Sequence, residues 1–552
     1  MKKRKDVFQS KRSPYVASIA FAVAMAAAAL PVIAQTYDVV INNGRVMDPE
    51  TNFDAVRNVG IKDGTIVVVT EDAITGTETI DATGHVVAPG FIEGHYHATD
   101  PFGRKLALRD GLTTQMDFEA GVRDVAKFYD ESEGTTQSNY GMVINAGLAR
   151  LTVLDGMDVA EKGNTPGDMF SYMVNDAGAK ALAEKRKPGW SNTLANKEEL
   201  TQILALVDEG LRQGAPGVGI PVGYMTTGLT HYEMFKYQEL AARYGRVSNA
   251  HTRFAGIRPP NGGMLGIQEM LANAMVLDAP FMAAHLNSVM DWEYTIPLIN
   301  QARENGAKVW GEVYPYEAAS TIAGTDIVLE SNMPNMGITY SDISDLDGTR
   351  WDKEKYDDVR TNAPGSSIVI YNNKKADIGK WLAMPGVVIV SDGMPPLDEN
   401  NNYFPWDEPY EGKSIHPRGA GTRAKVLRMV REESVMPLME AISKMSYLHA
   451  KYFEELGGIP HFATKGRIQV GADADIVVFD PEIVTDNSTY EKSEGALPST
   501  GIPYVLVNGV MVVKDSVVQK VFPGKPIRFP IQATGRLDGM DISPRDFDPK
   551  QG

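Results

Sequence analysis

The sequence predicts an α/β fold in which a (β/α)8 TIM-like barrel is joined to a small β-sandwich domain formed by the N- and C-terminal segments. Short β-rich runs punctuated by Asn-Gly and Asp-Gly dipeptides, which are typical of hairpins, stand at both ends of the chain. Strands alternate with helices between these ends, as in a parallel sheet with crossover helices. The roughly 370 residues of alternating units are enough for an eight-fold barrel with insertions.

The predicted domain organisation follows these changes of pattern along the 552 residues. A composite β domain takes residues 35–88 and 466–535, the barrel takes 89–465, and a C-terminal tail takes 536–552. Residues 1–34 are interpreted as a secretory signal, described below.

One barrel unit is clear from its sequence. Residues 196–214 predict a helix because Asn196 and Glu199 form a capping box, Gly214 ends the pattern, and one face is apolar. A short buried strand, "GVGI", follows it. Stretches 125–195 and 393–415 are rich in turn residues and are predicted to be insertion loops.

The N-terminal segment is typical of a secretory signal peptide. A basic stretch precedes an apolar run from Val16, Pro31 interrupts the run, and small residues end it at Ala34. We expect cleavage after Ala34 and a periplasmic or secreted mature protein without stable membrane insertion. An uncleaved membrane anchor is the alternative, because the run approaches spanning length.

Composition narrows the possible functions. The formal charge is −17, and removal of residues 1–34 leaves 48 basic against 70 acidic side chains, a charge of −22. Such a chain is poorly suited to nucleic acid or anionic lipid, so a small-molecule substrate fits better. The absence of cysteine excludes disulfides, thiolate zinc sites and cysteine nucleophiles. The sequence carries no information on oligomeric state.

Five residues stand where a barrel active site is built, at the carboxyl ends of β-runs. His95 and His97 in "PGFIEGHYHATD" project from the same strand face, and His251, His285 and Asp392 each follow a later strand. We expect these side chains to bind a divalent ion such as zinc, which would lower the pKa of water and polarise a carbonyl. Four histidines without this strand-end context are predicted to be structural: His85, His231, His449 and His461.

Longer strings of the sequence resemble one family. The order His-x-His, His, His, Asp with β-rich ends is similar to the amidohydrolase superfamily. The strings "APGFIEGHYHATD", "YPYEAAST", "HPRGAGTRAKVL" and "KGRIQVGADADIVVFDP" resemble its D-aminoacylase branch, the N-acyl-D-amino-acid deacylases. The resemblance covers about residues 37 to 515.

This resemblance implies a metal centre with one or two zinc ions. It implies that the four strand-end histidines are ligands and that Asp392 is both ligand and general base. The branch often bridges its metals through a cysteine, which Ala120 replaces here, so Glu119 is our candidate bridge with Asp117 behind it. A solvent-facing role for Glu119 is the alternative.

The resemblance also implies a substrate-binding set. Tyr314, Ser320 and Arg418 match the residues that hold the substrate carboxylate, for which a guanidinium is well suited. A packed barrel tyrosine and a loop ion pair are the structural alternatives for Tyr314 and Arg418. The branch usually has a lysine where this chain has Asn287, which leaves room for a substrate other than a free N-acyl amino acid. The loop 393–415 would be either a lid or a cover of the barrel rim.

The expected activity is therefore hydrolysis of the amide bond of N-acyl amino acids, most of all N-acyl-D-amino acids. Water activated by the metal would attack the carbonyl, and Asp392 would act as general base and acid. A cyclic-amide hydrolase or dipeptidase of the same superfamily is one alternative. A non-catalytic binding protein on an inactive barrel is another.

Overall fold

A computed structural model describes residues 36–157, 159, 164–258, 262–398 and 402–545. The predicted signal segment lies outside these residues. The strands of the described chain are β1 (Tyr37–Asp48), β2 (Phe53–Lys62), β3 (Thr65–Thr70), β4 (Gly76–Asp81), β5 (Val86–Pro89), β6 (Phe91–Glu93), β7 (Leu112–Val122), β8 (Asn139–Asn145), β9 (Gly217–Ile220), β10 (Val247–Ala250), β11 (Phe281–Ala283), β12 (Val309–Val313), β13 (Ala319–Ile322), β14 (Ile343–Asp345), β15 (Ser367–Ile370), β16 (Val387–Ile389), β17 (Ile476–Phe479), β18 (Tyr504–Val507), β19 (Val510–Lys514) and β20 (Val517–Val518).

The α-helices of the same residues lie mainly between the strands of the central region. They are α1 (Pro101–Arg109), α2 (Val125–Ser132), α3 (Ala146–Leu154), α4 (Pro166–Phe170), α5 (Ala177–Ala183), α6 (Gly189–Asn192), α7 (Lys197–Arg212), α8 (His231–Tyr244), α9 (Gly263–Leu277), α10 (Trp292–Glu304), α11 (Met333–Met336), α12 (Lys353–Asn362), α13 (Ile378–Ala383), α14 (Arg418–Glu433), α15 (Leu438–Met445) and α16 (Tyr447–Lys451). The predicted capping box of α7 is confirmed, because Asn196 and Glu199 each accept the other's backbone N–H at 2.9 Å.

The central sheet is a nearly closed, eight-stranded parallel barrel, as predicted. Its strand order is β6, β7, β8, β9, β10, β11, β12 and β16, and every neighbouring pair is parallel. Tyr96 and Gly393 form a parallel bridge beyond β6 and β16, and the His97 N–H donates to the Gly393 carbonyl at 2.9 Å. The two edge strands therefore meet next to the predicted ligands.

The barrel interior is filled with apolar side chains that come from most of its strands. Phe118, Met282, Trp310 and Val388 belong to this buried cluster. Phe453, which follows α16, lies against it with its ring stacked on that of Phe118 at 4.9 Å. The barrel is a packed core rather than a channel, so chemistry is confined to its rim.

The two ends of the chain pair in one mixed sheet, as the composite β domain requires. β5 lies between β1 and β17, and so joins the N-terminal strands to the C-terminal ones. The Ile66 N–H donates to the Ala472 carbonyl and the Ala474 N–H to the Gly64 carbonyl, both at 2.9 Å, so the sheet curls around its own apolar core. The exact domain boundaries stay a prediction. After β20 the chain runs along the barrel, where the Ile527 N–H donates to the Tyr140 carbonyl at 2.7 Å.

Two parts of the central region differ from the sequence prediction. Residues 125–195 are not an insertion loop, because their described part contains barrel strand β8 and the five α-helices α2 to α6. The polar ends of β8, Asn139 and Asn145, hide this strand in the sequence, although both are buried and hydrogen-bonded. The unpredicted part is a small antiparallel sheet inserted after β12, with strand order β13, β15, β14 and its own apolar cluster.

Within the described residues we find no helix with the length and apolar character needed to span a membrane.

Candidate metal centre

The predicted ligands converge at the carboxyl-terminal rim of the barrel. His95, His97, Glu119 and Asp392 form one group, and Glu119, His251 and His285 form a second, each with candidate ligand atoms within 4.8 Å of one another. All six are buried except His251, which is partly exposed. Residues from strands far apart in the chain thus meet as the strand-end pattern predicts.

Glu119 is the member that both groups share. Its Oε2 atom lies 2.9 Å from His95 Nε2 and 3.4 Å from His97 Nε2, whereas its Oε1 atom lies 3.0 Å from both His251 Nδ1 and His285 Nε2. One carboxylate oxygen therefore faces each pair of imidazoles. This is the arrangement expected of a bridging carboxylate, and the solvent-facing alternative is wrong.

An irregularity in β7 brings Glu119 to this place. The pairing of β7 with β8 shifts between Asp117 and Val122, so the intervening residues leave the regular ladder. Asp117 holds this turn, because its Oδ1 atom accepts the N–H groups of Glu119 and Ala120 at 3.0 and 2.9 Å. Bulges of this kind redirect side chains next to active sites.

Carboxylates behind the histidines fix the orientation of two rings. His97 Nδ1 lies 2.7 Å from Asp117 Oδ2, and His95 Nδ1 is hydrogen-bonded to Glu312, which is fully buried on β12. Each ring is left with Nε2 towards the centre. Asp117 is therefore a support for His97 and for the β7 turn, rather than a member of either ligand group. Carboxylates in this position set the tautomer of a ligating histidine and increase its basicity.

The other ligand candidates depend on unusual backbone. His285 and Asp392 have positive φ angles, 25° and 55°, a backbone conformation that is uncommon for residues other than glycine. His251 needs a glycine neighbour, because a Cβ atom on Gly223 would lie 2.3 Å from its Cδ2 atom. Close packing thus leaves these side chains little freedom to move.

Glu93 and Glu312 are functional candidates that the sequence analysis missed. The Glu93 carboxylate accepts the His95 N–H at 3.0 Å and the Ser391 N–H at 2.9 Å, and also pairs with Arg423, so it ties the end of β6 to the end of β16. Both glutamates lie inside their strands, Glu93 as the last residue of β6 and Glu312 as the last but one of β12, whereas the ligand histidines follow theirs. Their contacts with His95, rather than a signal in the sequence, identify them.

The cluster is strongly polarised. Burial opposes charge on His95, but the carboxylates of Glu119, Glu312 and Asp392 raise its pKa well above the ordinary value. The imidazoles of His95 and His285 in turn hold the pKa of Glu119 well below its ordinary value despite its burial. Carboxylates thus surround the imidazoles, and this environment stabilises a positive charge in their midst.

Asp392 lies between the ligand groups and a buried arginine. Its Oδ1 atom is 3.3 Å from His97 Nε2, 3.5 Å from His95 Nε2 and 2.9 Å from an Arg418 nitrogen. Burial would raise the pKa of Asp392, but the Arg418 guanidinium lowers it. The other two Arg418 nitrogens, Nε and Nη1, are buried and make no hydrogen bond to the described residues.

The remaining predicted substrate residues surround this arginine. Ser320 lines the cavity above the metal ligands, although its hydroxyl donates to the Ile368 carbonyl at 2.9 Å. Tyr314 is fully buried, and the Arg418 guanidinium lies 5.3 Å from its ring centre. Asn287, at the place of the expected lysine, accepts the Tyr314 N–H at 3.1 Å. The substrate roles of these residues stay a prediction.

The residues predicted to be structural make local contacts outside both ligand groups. His449 Nε2 lies 3.0 Å from the Ile389 carbonyl, His231 Nδ1 is 2.7 Å from Glu269, and His85 Nδ1 is 3.0 Å from the Thr83 carbonyl. His461, partly exposed, belongs to neither ligand group found among the described residues.

The later part of loop 393–415 lies against α1 and the residues before β8. Tyr410 lies beside Phe102 of α1, with ring centres 5.9 Å apart, and Trp406 Nε1 donates to Gln137 at 2.9 Å. Of the described loop residues, Met394 lines the cavity above the ligands.

The donor set fits a zinc centre. Neutral imidazole nitrogens and carboxylate oxygens are zinc ligands, and the chain supplies four of the former and two of the latter within a buried space. Glu119 divides them into two groups that could hold one ion each.

The chain has well-matched relatives among known proteins, although no family model matches it. N-acyl-D-glutamate deacylase of Alcaligenes xylosoxydans xylosoxydans is 26% identical over 526 residues, which cover 92% of this chain and 97% of that protein. D-aminoacylase of the same organism is 25% identical over 502 residues, covering 87% and 95%.

Solved structures share the fold. N-acyl-D-glutamate deacylase from Bordetella bronchiseptica, in complex with zinc and a phosphonate that mimics the tetrahedral intermediate, superposes with a TM-score of 0.68 at 22% identity, over 90% of this chain and 100% of that one. A D-aminoacylase described as having a binuclear metal centre superposes with a TM-score of 0.66 at 22% identity, over 89% and 99%.

Proposed function

We propose that this chain, homologous over nearly its whole length to N-acyl-D-glutamate deacylase and D-aminoacylase, is a zinc-dependent amidohydrolase that cleaves the linear amide bond of N-acyl-D-amino acids. The observation that carries the proposal is the position of Glu119 between two pairs of histidines, next to Asp392. A barrel that had lost catalysis would not be expected to keep every one of these groups.

The ligand roles follow from the two groups. His95, His97, Glu119 and Asp392 would hold one zinc ion, and Glu119 with His251 and His285 would hold another. Zinc in such a site lowers the pKa of water towards neutrality and polarises a carbonyl oxygen. Glu312 and Asp117 hold the His95 and His97 rings in position, so these side chains need not move when the substrate binds.

Asp392 is the proposed general base and acid. Its carboxylate lies at the junction of the histidine pair, the arginine and the open cavity, so it can take a proton from the attacking water and deliver it to the leaving amine. Transfer to the amine is required because an amide nitrogen leaves only when protonated.

Arg418 is the proposed partner of the substrate carboxylate. It is the cation adjacent to Asp392, and it retains buried donor groups without a partner in the described residues. The Tyr314 ring lies next to this guanidinium, and Ser320 contributes to the cavity wall. A planar guanidinium can bind a carboxylate through two parallel hydrogen bonds.

A cyclic-amide hydrolase is the second candidate, and Asn287 favours it. An amide side chain at the place of the expected lysine removes one cation from the substrate side of the centre. A cyclic amide without a free carboxylate would not need that charge.

A substrate panel combined with metal analysis tests the proposal. Zinc-loaded protein should hydrolyse N-acetyl-D-amino acids faster than their L forms, hydantoins or dipeptides, and chelation should abolish the activity. Asp392→Asn should reduce turnover by at least about a thousandfold, because the proton carrier is lost. Zinc content of this variant, measured beside the rate, separates loss of proton transfer from loss of metal. Full activity of Asp392→Asn, or hydrolysis by metal-free protein, would contradict the proposal.

We further propose that the mature protein starts after Ala34 and works in the periplasm or outside the cell. The basic, apolar and small-residue order of residues 1–34 supports this. N-terminal sequencing of protein recovered from periplasmic and membrane fractions tests it, since an uncleaved anchor would leave the whole segment attached in the membrane fraction.

A further inference from the structure

We propose that a second cavity of this protein binds a small organic monocarboxylate with an apolar or aromatic body. This cavity, the α1–α2 pocket, has a volume of about 500 Å³ and shares no lining residue with the cavity above the metal ligands. It is bounded by the start of α1, by α2, and by residues of loop 393–415 and of the C-terminal segment. The volume is within the range of small-molecule sites.

Arg104 supplies the positive charge of the α1–α2 pocket. It is partly buried on α1 and lines the cavity, and its guanidinium makes no hydrogen bond or ion pair with any described residue. The acid that acts on it most, Asp100, uses a carboxylate oxygen to accept the N–H groups of Phe102 and Gly103 at the helix start. Burial lowers the pKa of Arg104 to about 10, so it remains a cation at neutral pH. A partly desolvated guanidinium without a partner favours an anion.

Thr99 supplies a second, independent polar group. Its side chain is only 8% exposed and lines the same pocket, and its hydroxyl has no hydrogen-bond partner among the described residues. A buried hydroxyl left without a partner costs free energy, which a ligand oxygen would recover. The guanidinium and the hydroxyl together offer donors to a carboxylate.

The other walls of the pocket are apolar and aromatic. Phe128, Trp406 and Phe522 line it, and the Trp406 ring is held by the hydrogen bond from Nε1 to Gln137 at 2.9 Å. The ammonium groups of Lys105 and Lys520 lie over the Trp406 ring at 5.4 and 5.0 Å, so Phe128 and Phe522 supply the apolar surface on which an aryl or acyl group can pack. The ligand therefore needs an apolar body as well as a charge.

Acidic residues at the rim limit the charge of the ligand. Glu131 lines the pocket, and Lys520, the other cation of its lining, is already paired with Asp407 at 3.4 Å. Among the described lining residues Arg104 is the one cation without a partner, so the pocket suits a single negative charge better than a phosphate dianion.

Phenylacetate binding tests this inference on zinc-loaded, full-length protein. Calorimetry should show saturable binding, with clearly weaker binding of phenylacetamide, the neutral analogue of the same shape. Arg104→Met should weaken phenylacetate binding by about tenfold or more, and Thr99→Val should weaken it less. Arg57→Met, which removes an arginine from β2 of the β domain, is the matched control and should leave binding unchanged.

The fluorescence of Trp406 separates the two cavities. Phenylacetate that binds at the metal centre instead would bind Arg104→Met as well as it binds the unmodified protein. Phenylacetate that binds in the α1–α2 pocket should change the tryptophan emission, and this change should be absent in Trp406→Phe. If Arg104→Met fails to fold, Arg104→Lys takes its place. Lysine keeps the positive charge but lacks the planar guanidinium that donates two parallel hydrogen bonds, so this variant should bind phenylacetate with reduced affinity. Equal binding of acid and amide, unchanged affinity in the arginine variants, or no saturable binding at millimolar phenylacetate would overturn the inference.

Discussion

Replacement of Glu119 by glutamine tests the metal centre most directly. In the present geometry each carboxylate oxygen lies 2.9 to 3.4 Å from two imidazole nitrogens, so both oxygens are used. Glutamine keeps the length and shape of the side chain but has a single oxygen and no charge. The amide oxygen of Glu119→Gln can therefore face one ligand group, and its NH2 group must then face the other.

The expected loss can be estimated from the charge alone. A unit charge about 4 Å from another contributes about 4 kcal/mol at an effective dielectric constant of 20. Since about 1.4 kcal/mol corresponds to a factor of ten, at least one zinc site should bind about a thousandfold more weakly. The variant should then retain at most one tightly held zinc ion per chain, with a corresponding loss of activity.

The assay combines zinc content after dialysis with competition against a chromogenic chelator. Glu198→Gln, an exposed glutamate on α7, is the matched control and should bind zinc as the unmodified protein does. Thermal unfolding of both variants without metal checks that the fold is intact. Unchanged zinc content and affinity in Glu119→Gln would refute the bridging role of this carboxylate.

Three further substitutions extend the test. Glu312→Gln should weaken zinc binding by about 10- to 100-fold without unfolding the protein, because the support of His95 is lost; a chelator titration checks this, and native affinity would contradict it. Gly223→Ala should displace His251, since the added Cβ would lie 2.3 Å from its ring, and should lower zinc content; a native zinc content would show that the ring can move aside. Arg150→Met should lower the free energy of unfolding by about 3 to 5 kcal/mol, because it leaves a buried carboxylate without its partner; denaturant unfolding measures this, and a change below about 1 kcal/mol would contradict it.

The ligand positions could be predicted from sequence because their signal is local. A polar residue that ends a buried β-run must lie on the barrel rim, and parallel strands bring all such ends together. His251, His285 and Asp392 each carried this signal without reference to the rest of the chain. The barrel and the joined terminal strands were predictable for the same reason, since they depend on patterns repeated along the chain.

The supporting carboxylates and the inserted sheet could not be found in this way. Glu312 and Glu93 read as polar residues within apolar strands, and only the folded chain shows that they meet His95 and Arg423. The strands of the inserted sheet have only three or four residues each, too few for a periodic signal. The strand β8 was missed because buried hydrogen bonds, rather than apolar side chains, stabilise its ends.

The irregular turn in β7 explains how a carboxylate can occupy a bridging position in a chain without cysteine. Neighbouring residues of a strand point to opposite faces, and here Glu119 points into the ligand cavity while Ala120 belongs to the apolar cluster outside it. The two positions are therefore not interchangeable, although they are adjacent in sequence. The side chain that reaches the centre is selected by the backbone of the turn, which Asp117 holds through two N–H groups. Because the same aspartate also orients His97, the bridge and the first histidine pair are fixed by one side chain, and the geometry of both groups depends on it.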